Sequence, residues 1–281
     1  GGSGYTPEGQ LRPPPADNVA LRECLLAGQF CNDSGVIEAD GNWEAQGDPT
    51  EVALIVSAGK GLLENAPTLP RLDTIPFDSA FQYMATLHAT DDGTPHRIYA
   101  KGSIEALLTR CRGSMNASGE IVPLDAEAIL AEIDVLASEG MRVLALASGE
   151  MPAHEHRGAN LTREHLDAEL VFVGLQAMID PPREEAKAAV SACLTAGVQV
   201  KMITGDHALT AGAIAGQLGL RGEKDEQGRL KVLTGQEIAT LDDQQLREAA
   251  EKITVFARVA PEQKLRLVRA LQALGHVVAM T

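Results

Sequence analysis

Three stretches of this chain combine residue types that can handle phosphate. The first is VKMITGDH, residues 200–207, where an apolar run ends in Thr204, Gly205 and Asp206 just before the helix-like ALTAGAIAGQLGL. At a strand end before a helix, backbone N–H groups and the helix dipole favour an anion. Gly205 allows close approach and Thr204 adds a hydroxyl donor. Asp206 repels phosphate unless a cation or a sugar lies between, and it serves equally well as a cap of the helix. The second is Arg258 with Lys264, six residues apart across a turn. Arginine suits planar or bidentate acceptors, and lysine supplies a point charge to a phosphoryl oxygen; a solvated helix face also explains Lys264. The third is Lys101-Gly102, a lysine beside backbone amides at a strand end, suited to phosphate or a nucleobase. Phe77, after Ile75-Pro76, reads first as a core residue, since aromatics are so few.

Other combinations point elsewhere. Asp91-Asp92-Gly93-Thr94 superficially offers an aspartyl nucleophile, but between two alternating strands Asp-Gly is ordinary hairpin chemistry. The histidines show no HxxxH or HxH spacing, so no metal site is expected from them. Cys24, Cys31, Cys111 and Cys193 lack CxxC spacing and sit in apolar segments, as reduced structural thiols of a cytosolic protein would. The net charge of −15 argues against nucleic acid and anionic membrane surfaces, which are bound through Lys/Arg clusters. No run of 18 apolar residues or charged leader is present, so the chain as given is expected to be soluble.

Positioning these residues takes two domains, which 281 residues allow. Apolar residues are 44% of the chain but aromatics only 3%, so Ala, Leu and Val must fill the core, as in helices packed on a sheet. The first part, to about residue 178, reads as helices with an antiparallel sheet. Helices are expected over 19–30, from Asp48-Pro49-Thr50-Glu51, over 103–111 and over 124–138; strands over 82–88 and 97–100 form a hairpin, with a further strand at 142–148. The remainder alternates strand and helix: strands at 170–178, 198–203, 254–259 and 276–280, helices at 182–196, 208–218 and 261–274. That alternation predicts a parallel, doubly wound sheet, with ligands at the carboxyl ends of its strands. The closing HVVAMT reads as a strand cut inside a domain.

Taken in order, GDPTE (47–51), PFD (76–78), KG (101–102), GMRVLALA (140–147), DPPR (180–183), MITGDH (202–207) and FARVAPEQK (256–264) resemble the cytoplasmic loop of a P-type cation-transporting ATPase, nearest its calcium/sodium-potassium type branch. GYTPEG and CNDS fit that branch as well. The resemblance implies an α/β protein: an α+β nucleotide-binding domain with an antiparallel sheet over 1–178, then an incomplete haloacid-dehalogenase-like doubly wound parallel sheet, part of the phosphorylation domain, over 179–281. It implies that Phe77 stacks on adenine, Glu51 receives hydrogen bonds from it, Lys101 and Gly102 line the pocket, and Arg142 reaches the phosphates. Thr204 and Lys264 would hold the transferred phosphoryl group, Gly205 belongs to the same turn, and Asp206 and Arg258 would meet the ribose side. Asp180 and Arg183 would belong to the connection between domains.

The chain departs from the family pattern in three ways. It contains neither the DKTGT motif with the phosphorylated aspartate nor the GDGVND magnesium motif. Gln82 and Ser79 stand where many relatives carry lysine and some carry arginine. The resemblance therefore implies an ATP- or ADP-binding cytoplasmic piece of an ion pump, whose partners are the pump's transmembrane and actuator domains and which is inactive in hydrolysis alone. Mg2+ would act in the full pump. A stand-alone phosphatase of the same sheet type, with Asp91 as its only formal nucleophile, is the other enzymatic reading, and a pure nucleotide sensor a third.

Overall fold

The computed structural model describes residues 6, 7, 9, 11–39, 42–62, 68–90, 94–152, 160–179 and 182–280. They cluster into two compact units, one of residues 1–130 with 143–178, the other of 131–142 with 179–281.

In chain order the elements begin with α1 (Val19–Phe30), β1 (Gly35–Ala39), β2 (Asn42–Gln46), α2 (Pro49–Leu62), β3 (Arg71–Asp78), β4 (Tyr83–His88) and β5 (His96–Gly102). There follow α3 (Ile104–Leu108), β6 (Cys111–Met115), β7 (Ile121–Val122), α4 (Ala126–Ser138), β8 (Arg142–Met151) and β9 (Leu170–Met178). β1 and β2 form a small antiparallel hairpin, and seven strands form a mixed sheet in the order β3-β4-β5-β8-β9-β6-β7. The expected hairpin of β4 and β5 is present, with Met84 opposite Lys101 and Tyr83 opposite Gly102. All six residues of β4 are buried. The polar ones survive burial by pairing: His88 Nδ1 bonds the Leu69 carbonyl and Nε2 the Thr86 hydroxyl, each at 3.0 Å. Part of the core comes from α1, whose Cys24, Leu25, Leu26 and Ala27 pack with Met84, Tyr99 and Leu146.

Three differences from the sequence reading have local causes. The helix expected to run from 103 to 111 stops at Leu108, and Cys111 already pairs in the sheet with Leu170 of β9. β3 was hidden by Pro76 and by register shifts at Arg71/Asp73 and Ile75/Asp78, which break its period of two. β1, β2, β6 and β7 are only two to five residues long, too short for a period of two to announce a strand.

The second unit contains α5 (Glu184–Thr195), β10 (Met202–Ile203), α6 (Ala208–Gln217), β11 (Val232–Thr234), α7 (Gly235–Thr240), α8 (Asp243–Lys252), β12 (Val255–Ala257) and α9 (Pro261–Ala273). Its sheet is parallel, in the order β10-β12-β11. One core of the unit joins α7, α8 and α9 to Phe256 and Val259; a second packs Ala211 and Ala215 of α6 on Val255 and Ala257. The strand expected over 198–203 is reduced to its last two residues, 202–203, and that over 254–259 to 255–257. The expected strand over 276–280 does not form: a strand is defined by its ladder, and among the described residues this segment has no strand partner, with Val277 fully exposed.

Candidate functional site

In the first unit, Lys101 stands in β5 between Met84 of β4 and Leu146 of β8. Both neighbours are buried, and Lys101 itself is only 7% exposed. A charge so placed needs a partner. Glu51 supplies it, with Oε1 2.5 Å from Lys101 Nζ. Glu51 lies in the first turn of α2, where a carboxylate is favoured by the helix dipole. The helix begins there because Asp48 Oδ1 accepts the amides of Thr50 (2.8 Å) and Glu51 (3.3 Å), and Pro49 fits its first position. The other carboxylate oxygen of Glu51 accepts the Ser34 hydroxyl at 2.8 Å and the Asp33 amide at 3.2 Å. Ser34 Oγ in turn accepts the Asp48 amide at 3.0 Å. The polar turn at 32–34, the N-terminus of α2 and the end of β5 are thus one network, and Ser34 was a member that spacing alone did not reveal.

The β3–β4 turn is built against the end of β5. The Asp78 carbonyl accepts the amides of Phe81 and Gln82, and Asp78 Oδ1 accepts that of Ala80 at 2.8 Å. Gln82 has φ +59°. Its carbonyl accepts the Ser103 amide at 2.9 Å and its Oε1 the Ser103 hydroxyl at 3.2 Å. Gly102 is required by this approach: a Cβ there would sit 2.5 Å from the Gln82 carbonyl oxygen and 2.6 Å from Tyr83 Cβ. Phe77, one residue before the turn, is 63% exposed, so it is not core. The structure therefore brings Glu51, Lys101, Gly102 and Gln82 together through β4, β5 and α2, and places Phe77 on the adjoining strand end.

In the second unit, the turn after β10 is fixed by the neighbouring strand. The Thr204 amide donates to the Phe256 carbonyl at 2.9 Å, and the Val259 amide to the Thr204 carbonyl at 3.3 Å. This holds Thr204 beside the Arg258 segment. Arg258 has φ +51°, uncommon for a side chain of that size, and a Cβ on Gly235 would lie 2.3 Å from its carbonyl oxygen. Asp206 does not cap α6. Its Oδ2 accepts the Thr204 hydroxyl at 2.7 Å, its amide donates back to Thr204 Oγ1 at 3.1 Å, and the N-cap position is His207 without a side-chain cap. Arg142 Nε lies 3.5 Å from Asp206 Oδ1. Lys264, half-buried in the first turns of α9, has no ion pair or side-chain hydrogen bond among the described residues. Arg183 is the N-cap of α5 and makes no side-chain cap. Asp180 lies outside the described residues, as does Asp91.

Among the described residues no three His, Cys, Asp or Glu side chains converge as metal ligands. The described residues thus hold no such ligand cluster for a magnesium ion. No helix among the described residues is long and apolar enough to cross a membrane. Burial pushes the Cys31 thiol, which donates to the Met84 carbonyl, up to about 11 despite the opposing charge of Lys101.

The chain is 46% identical over its whole length to the cation-transporting ATPase pma1 of Synechocystis and 47% identical to a probable cation-transporting ATPase F of Mycobacterium bovis, covering 31% of each of those proteins. It is 37% identical, over 97% of its length, to calcium-transporting ATPase 1 of Bacillus cereus, covering 29% of it. It therefore spans about three-tenths of the length of these curated relatives. The family described as P-type ATPase, cytoplasmic domain N, matches residues 20–185, more than half of the chain. With that match and these relatives, the chain belongs to the P-type ATPases.

Proposed function

We propose that this chain is the ATP-binding cytoplasmic part of a cation-transporting pump of the calcium type, over 1–178, followed by part of its phosphorylation domain. The observations that carry the reading are the Lys101–Glu51 pair at the end of β5, its lysine buried, and the exposed Phe77 at the end of β3. A largely buried ion pair is a poor way to gain stability, and its presence in the same sheet as an unpacked aromatic suits a ligand with a π-face and polar edges. Phe77 stacks on adenine, Lys101 and Gly102 line the pocket, Gln82 forms its edge, and Glu51, with one lone-pair site still open, accepts from the base.

Thr204, Gly205 and Lys264 serve the phosphoryl group. A fixed cation and a neutral donor lower the cost of its charge as it is transferred, and Lys264 has no competing carboxylate among the described residues. Asp206 and Arg258 serve the ribose side, Arg142 the phosphates, and Asp180 with Arg183 the connection between domains. In the whole pump, transfer to an aspartate in the presence of Mg2+ drives ion transport, and the partners are the transmembrane and actuator domains. This chain alone binds ATP or ADP and does not turn it over.

Equilibrium binding of ATP, followed by amide chemical shifts, tests the reading. Saturable shifts at 77–82, 101–103 and the α2 N-terminus are expected. No response at these residues contradicts it.

A further inference from the structure

The loop before β9 holds a cation against the β3–β4 turn. It is tied at both ends: the Leu161 amide donates to Asp73 Oδ2 at 2.6 Å, and the Asp167 side chain places Oδ1 3.7 Å from Arg110 Nε. Between them Thr162 and His165 close a short turn, the Thr162 amide donating to His165 Nδ1 at 2.9 Å, and Leu166 is fully buried. What this scaffold presents is Arg163. Its guanidinium carbon lies 3.4 Å from the centroid of the Phe81 ring, and Nη2 lies 3.6 Å from Asp78 Oδ2. Its Nε is out of reach of solvent and has no hydrogen-bond acceptor among the described residues.

The surroundings of Arg163 are unusual for this chain. Of five phenylalanines, Phe172 and Phe256 are buried, whereas Phe77 and Phe81 are exposed on one turn. That turn carries Ser79 and Gln82 and no cation of its own. Its one acid, Asp78, is only a loose partner of Arg163, since both are two-fifths exposed and such pairs contribute little. A guanidinium flat on an aromatic ring keeps its outer N–H edge available to a second, stronger acceptor.

We propose that Arg163 is a specificity-determining residue of the nucleotide site: supported by Phe81, it supplies the positive charge at the β3–β4 turn that distinguishes a nucleoside di- or triphosphate from an uncharged nucleoside. The proposal rests on the nucleotide reading given above. The phosphate oxygens take the outer edge of the guanidinium, displacing Asp78 and leaving the contact with Phe81 intact.

The test compares binding of ATP and of adenosine to the wild-type chain and to Arg163→Gln, Arg163→Lys and Phe77→Ala, with thermal unfolding of each. The proposal expects Arg163→Gln to weaken ATP roughly tenfold with adenosine unchanged, Arg163→Lys to recover part of the loss, and the salt dependence of ATP binding to flatten in Arg163→Gln. Phe77→Ala should weaken both ligands. An equal loss of ATP and adenosine in Arg163→Gln would make Arg163 a brace for the turn and overturn the proposal. Unchanged ATP binding in Arg163→Gln, with Phe77→Ala still impaired, would overturn it while leaving the nucleotide reading in place. A wild type that binds neither ligand overturns both.

Discussion

Lys101 Nζ meets Glu51 Oε1 at 2.5 Å, joining the end of β5 to the first turn of α2 in a place where the lysine is almost wholly buried. Removing one partner leaves the other charge stranded. Glu51→Gln should therefore destabilise the first unit by roughly 3 kcal/mol, less than a fully buried pair because Glu51 keeps about a fifth of its surface. The double variant Glu51→Gln/Lys101→Met should recover most of that loss. Urea unfolding of Glu51→Gln, Lys101→Met and the double variant checks it, and additive losses would contradict the coupling.

Gly102 leaves no room for a side chain against the Gln82 carbonyl, which is backbone and cannot swing away. Gly102→Ala should cost about 1–3 kcal/mol as overpacking and should shift the amides of Gln82 and Ser103, which are bonded across the gap. An unchanged unfolding midpoint would show that the turn can move freely.

His88 sets a pH dependence. Burial lowers its pKa below the ordinary value, with further lowering by Arg71 against two opposing backbone contacts. The folded state therefore resists protonation that the unfolded chain accepts. Stability from this group is fully present above about pH 6.5 and is lost as pH falls through the folded value. The wild type should lose more stability between pH 7 and 5 than His88→Gln, after each is referred to its own value at pH 7. Parallel pH profiles would contradict this.

The thiols of Cys24 and Cys111 are pushed up to about 12 and that of Cys31 to about 11, each chiefly by burial. The thiolate is the reactive form, so at pH 8 these three should label only as the protein opens. Labelling rates should rise with urea in step with unfolding; fast modification of Cys31 in the native state would contradict its position under β4.

Much of this was legible in the sequence, for uneven reasons. α1 and β9 fall on their expected bounds because each has a strong pattern and a plain stop. Lys101-Gly102 and Thr204-Gly205-Asp206 were legible as strand ends because glycine and charge mark such turns. The Glu51–Lys101 pairing was not, since it joins residues fifty apart through the fold. Nor was the role of Asp206, where a cap and a partner of the Thr204 hydroxyl give the same local sequence. Arg163 left no signal at all: an arginine in a polar loop looks the same whether it meets water or a ring.

The most direct measurement is a calorimetric titration of ATP into the wild-type chain and into Phe77→Ala, with and without magnesium. A stacked base contributes on the order of 1–3 kcal/mol, so the account predicts saturable wild-type binding that weakens roughly tenfold or more in the variant. Wild-type binding that the variant leaves untouched would contradict it and place the nucleotide away from Phe77.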